Sequence, residues 1–88
     1  MNEAQFRRQL QEQGYGEAES LECEANMAKD MHVHEFSASV LVLRGAFTLV
    51  TEDGSATHQP GDTCKLPAGT LHAEQTGADG TTILIGKK

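Results

Sequence analysis

No apolar run in the sequence approaches the roughly 18 residues needed to span a membrane. Nothing at its start has the order of an export signal. The expectation is a cytoplasmic chain with no membrane partner. Positive charge is scarce, with 7 Lys and Arg against 13 Asp and Glu, a formal net charge of -6. A phosphate backbone demands a basic surface, so nucleic acid is excluded as a partner. Cysteine is limited to Cys23 and Cys64, too few for a disulfide scaffold, and both read as reduced thiols. There is no Ser-His-Asp order, no phosphate-cradling glycine loop and no Cys-x-x-Cys pair. Low-complexity tracts, long linkers and repeats are absent as well, so the 88 residues read as one small domain. A domain this small buries little surface and often leans on a metal or a partner subunit.

What is present centres on Met31 to Gly45, where His32 and His34 precede the β-branched run Val40-Leu41-Val42-Leu43. That run favours strand. On a strand alternate side chains share a face, so His32 and His34 emerge together, as two ligands of one metal would. Neutral imidazole binds zinc, iron, nickel and copper alike.

Upstream, Asn2 to Gln13 reads as a helix. Asn2 caps it, Gln5 completes a capping box and Gly14 suits the exit. Phe6 and Leu10 form a short apolar stripe, and Glu3 with Arg7 makes an i,i+4 pair. The stripe is expected to lie on the chain's own domain or on a dimer mate. Between Glu17 and Ala25, glutamates alternate with Leu21, Cys23 and Ala25, the period of a strand with one wet face. After Gly45 come short strands at Ala46–Glu52, Ser55–Gln59, Thr63–Leu66, Leu71–Thr76 and Thr81–Ile85. Turns are expected at Asp53-Gly54, Pro60-Gly61-Asp62, Pro67-Ala68-Gly69 and Gly77-Ala78-Asp79-Gly80. This spacing suggests a sandwich or barrel.

The third histidine adds a resemblance. Gly61, Pro67, Gly69 and His72 stand at the spacing of the second sequence motif of the cupins, small β-barrel proteins, with Thr76 where asparagine is usual. His32, His34 and Gly45 match the first motif, with Asn26 in place of its opening glycine. The chain from about Glu22 to Gly86 therefore resembles a cupin. The resemblance implies an all-β fold: a single cupin barrel, the double-stranded β-helix or jelly roll, over 17–88, with an N-terminal helical extension over 1–16.

It also implies a divalent metal (Zn, Fe, Ni or Mn) held by His32, His34 and His72. The family's glutamate ligand falls at Ala38, where a methyl group binds nothing. Three neutral ligands with an open position suit a catalytic site and leave the ion's charge intact. Glu74 shares the inward face with His72 and is the candidate catalytic residue or substitute ligand, while Glu35 has the opposite parity and points outward. His58 reads as a packed or half-exposed histidine, and Cys64 as core filler. The implied function is oxygenase, isomerase or lyase chemistry on a small chelating acid, diketone or thiol. The alternative is a non-catalytic small-molecule-binding or sensing module. A small barrel with free sheet edges is expected to form a homodimer.

Overall fold

A computed structural model describes residues 1–88. The chain begins with α1 (Glu3–Glu12), whose N-terminus carries the expected capping box between Asn2 and Gln5. Phe6 and Leu10 are 0% and 2% exposed and pack on Leu41 and Leu84, with Tyr15 and Ala18 alongside. Each such burial contributes about 1.5–3 kcal/mol. The stripe is spent on the chain's own barrel. Gly86 lies beneath it, where a Cβ would meet the Leu10 methyls at 2.7 Å.

Five strands follow: β1 (Glu19–Cys23), β2 (Ala38–Thr51), β3 (Gly54–His58), β4 (Thr63–Leu66) and β5 (His72–Lys87). The two long strands β2 and β5 pair antiparallel from Ala38 opposite Lys87 to Thr51 opposite His72. The other edge of β2 carries β4 along Ala38–Leu41 and β3 along Phe47–Thr51. β1 covers the far edge of β5 from Thr81 to Ile85. The earlier half of β5 is flanked instead by single bridges from Ala28 to Gln75 and from His32 to His72.

Two sequence expectations are corrected here. Gly45 does not end a strand, and Gly77–Gly80 is not a chain reversal. β2 and β5 run through both places, but Gly45 pairs with Thr81 while Phe47 pairs with Thr76. Gly77–Gly80 thus stands opposite Ala46 alone, so the turn residues make a bulge. Gly45 and Gly80 both adopt positive φ, +79° and +74°, and a Cβ on Gly45 would lie 2.0 Å from the Gly80 carbonyl oxygen. Only glycine fits where the two strands bend so closely.

From Val40 to Val42 both faces of β2 are buried, which is why that stretch reads as an unbroken apolar run, while Leu43 beyond it is exposed. Leu41 turns outward to α1, while Val40 and Val42 turn inward to Phe47 and Ile83. Between these inward residues and the loops lies a cavity of about 200 Å³. No helix is long and apolar enough to cross a membrane.

Candidate metal centre

The segment that brings in the first two histidines is not part of β2, contrary to the sequence expectation. β2 begins only at Ala38, and His32 is held by one bridge, exchanging both backbone hydrogen bonds with His72 (2.7 and 2.9 Å). The Gly69 N–H then donates to the His34 carbonyl oxygen, so the Pro-x-Gly turn also fixes the second histidine. The local backbone is extended without being in a sheet, and alternation still puts both rings on one side.

Ring centroids of His32, His34 and His72 lie 4.4–5.0 Å apart. Glu74 joins them, and all four residues offer a ligand atom within 4.8 Å of one another. Its Oε1 is 3.1 Å from His72 Nε2 and 3.8 Å from His34 Nε2, and its Oε2 is 3.3 Å from His32 Nε2. Metal–ligand bonds of ~2.0–2.2 Å imply separations between adjacent ligands of about 3–3.5 Å, close to those observed.

The tautomers suit a metal. Nδ1 of His32 contacts the Asp30 carbonyl oxygen and Nδ1 of His72 that of Thr70, each at 2.7 Å. A carbonyl only accepts, so both Nδ1 atoms carry the proton, and in the neutral imidazoles the Nε2 lone pairs face Glu74. Lone pairs facing a carboxylate repel it unless a cation sits between them. Glu74 Oε2 is buried and makes no hydrogen bond, which an apo protein tolerates poorly and a bound cation resolves. Burial, and then the neighbouring imidazoles His72 and His32, hold His34 below the ordinary imidazole pKa, against the pull of Glu74. It is neutral and able to ligate at pH 7. The residues present fit a divalent ion.

The other candidates separate cleanly. Glu35 is exposed, as its parity implies, and His58 is half-buried on β3 opposite Phe47, outside the cavity lining. Ala38 is buried, lines the cavity and stands directly across from Lys87. Asn26, at the position of the motif's opening glycine, has φ +54°, a conformation asparagine tolerates better than most residues. Thr76, at the motif's closing asparagine, accepts from the Met27 N–H (2.8 Å) and donates to the Glu24 carbonyl oxygen, tying that segment to β5. Cys64 lines the cavity, and burial pushes its thiol up to about 11. Cys23 also lines it, its thiol raised first by burial.

Sequence reasoning missed Phe36, which stacks on His34 at 4.7 Å. Its signal was the same two-residue period, one step beyond His34. It also missed that Lys29 and Lys87 line the cavity, for which the sequence carries no local sign.

No protein-family model matches the chain, and no curated protein does. Solved structures do. The chain is similar to a cupin-2 domain containing protein from Shewanella frigidimarina, at 20% identity and TM-score 0.67, over 78% of this chain and 66% of that one. It is similar to KdgF from Halomonas sp., at 23% identity and TM-score 0.67, over 81% of this chain and 68% of that one. It is also similar to the polyketide cyclase RemF from Streptomyces resistomycificus, at 25% identity and TM-score 0.67, over 83% of this chain and 54% of that one. The chain thus spans about two thirds of the length of the first two and about half of the third. These likenesses bear out the cupin fold that the two sequence motifs imply.

Proposed function

We propose that this small chain of cupin fold binds a divalent transition metal through His32, His34, His72 and Glu74, and uses it on a small oxygen-donor ligand in the barrel. The observation that carries the reading is Glu74 Oε2, buried without a hydrogen bond beside three imidazoles. Mixed imidazole and carboxylate donors suit iron, manganese, nickel or zinc better than calcium or magnesium. Such an ion, when bound, supplies Lewis-acid polarisation of a carbonyl or carboxylate oxygen.

The chain's own residues do the rest. Backbone carbonyls of Asp30 and Thr70 fix two histidine tautomers, and Phe36 holds the His34 ring flat against it. His34 and Glu74 are the cluster members that line the cavity, so a ligand approaches past them. With Glu74 bound to metal, no carboxylate or imidazole of the lining is left as a general base. Chemistry in which polarisation of a bound carbonyl would acidify the substrate enough for solvent water to carry the proton, such as isomerisation, lyase cleavage or ring closure, is therefore preferred to a sequence that needs a dedicated carboxylate or imidazole base. One of the structural neighbours is a polyketide cyclase, which suits that preference.

The lack of a base also supports a second reading, a binding or sensing module in which metal only holds a ligand. Metal content of the purified protein tests the common part. One equivalent of a transition metal per chain, lost in His34→Ala, is expected; a metal-free protein that takes up none on loading overturns the proposal. Turnover of small dicarbonyl compounds by the loaded protein separates the enzyme from the binding module.

We also expect a homodimer formed through the free outer edges of β1 and β3. A light-scattering mass of two chains at micromolar concentration supports it, and a single-chain mass ends it.

A further inference from the structure

We infer that the cavity takes an apolar-bodied monoanion whose acid group is held by Lys87 and Lys29, with its other end at the metal centre. Twelve of the 16 residues lining the cavity are hydrophobic. The remaining four are His34, Glu74, Lys29 and Lys87, so the lining outside the metal cluster is either apolar or cationic. In a chain of net charge -6 this is a concentration of positive charge against the overall field.

Neither ammonium is engaged by an acid. The carboxylates that pair with cationic side chains pair with arginines, Glu3 with Arg7 and Glu22 with Arg44. Lys87 stands directly across the β2–β5 pair from Ala38. Directly opposed side chains share a face, with Cβ atoms about 4.5–5.5 Å apart. A carboxylate at position 38 would neutralise Lys87. The methyl there leaves its ammonium over the Phe36 ring, 4.9 Å from the centroid. Phe36 in turn stacks on His34 at 4.7 Å, so an anion at Lys87 lies two ring contacts from the metal centre. Lys29 joins the same lining, its backbone N–H donating to the Glu74 carbonyl oxygen at 3.2 Å.

The lining also says what the ligand is not. A sugar or polyol would bring many hydroxyls into walls that offer them few partners, and unpaired buried hydroxyls are costly. At about 200 Å³ the cavity is smaller than the ~300–1,000 Å³ of drug-sized sites. A short aryl or alkyl acid fits this description.

The inference rests on the metal reading only for where the ligand's far end lies. The test therefore uses both metal-free and metal-loaded protein. Phenylpropionate and its neutral isostere phenylpropanamide are titrated at low salt, followed by protein NMR shifts. On metal-free protein the acid is expected to bind about fivefold or more tighter than the amide, with the preference shrinking as salt rises. The double variant Lys29→Met, Lys87→Met should bring the two ligands within about twofold while metal content stays unchanged. Both lysines are exposed, so these changes spare the core. Binding of the amide as tightly as the acid, binding of neither, or a preference that survives the double change overturns the inference. A protein that prefers the acid through its lysines but takes up no metal overturns the metal reading alone.

Discussion

His32 and His72 exchange both backbone hydrogen bonds, so a single β-bridge carries two of the clustered rings and sets their 4.4 Å spacing. The two residues lie far apart in sequence, one in an irregular segment and the other at the start of β5. The bridge therefore couples the integrity of the site to closure of the barrel. Perturbing either end disturbs both.

Glu74→Gln is expected to weaken metal retention by about 10- to 100-fold, since it removes the cluster's one anionic donor and keeps its shape. Ala38→Glu should leave retention nearly unchanged, because a glutamate there has Lys87 as its cross-strand partner. Chelator titration of wild type and both variants measures this. Tighter binding in Ala38→Glu with no loss in Glu74→Gln would return the site to three histidines alone.

Metal should stabilise the fold as well as occupy it. Binding to the folded chain alone adds about 2.7 kcal/mol at one hundred times Kd. For a chain of 88 residues that raises Tm by roughly 10 °C or more. Thermal melts with added zinc and with a chelator give the difference, and His34→Ala should abolish it. Equal melting temperatures in metal and chelator would argue against a folded-state site.

Burial of the Cys64 thiol makes stability fall in alkali. Its folded pKa is about 11 against an ordinary 9.0. The stabilisation is fully present below pH 9.0 and is lost as pH rises toward 11, because the unfolded chain releases its proton first. At 1.36 kcal/mol per unit the loss is roughly 2 kcal/mol, allowing for partial solvent access. Urea midpoints between pH 9 and 11 should fall less steeply in Cys64→Ala than in wild type. Parallel slopes would mean the thiol is not buried as described.

Gly45→Ala should destabilise the chain on the order of 3 kcal/mol or more, from positive φ and the clash with the Gly80 carbonyl. Equilibrium urea unfolding reads this directly. A loss under 1 kcal/mol would show that the β2–β5 bend can open without cost.

The sequence by itself determined the parts that rest on local rules. Periods of two placed His32 beside His34 and His72 beside Glu74. The capping box at Asn2 and Gln5 and the Pro-x-Gly turn before His72 are set by their own residues. Two motifs in order were enough to indicate a cupin barrel. Tertiary structure alone decided where strands pair across distance. Gly77–Gly80 has turn chemistry, yet β2 holds the segment in the sheet as a bulge, because pairing along the whole strand outweighs a local preference to reverse. Which carboxylate stands among the histidines, and which lysine faces Ala38, likewise follow from register between residues remote in sequence. Register is fixed by the burial of both faces of β2 and by the close approach of Gly45 and Gly80, neither of which any short stretch of the chain contains.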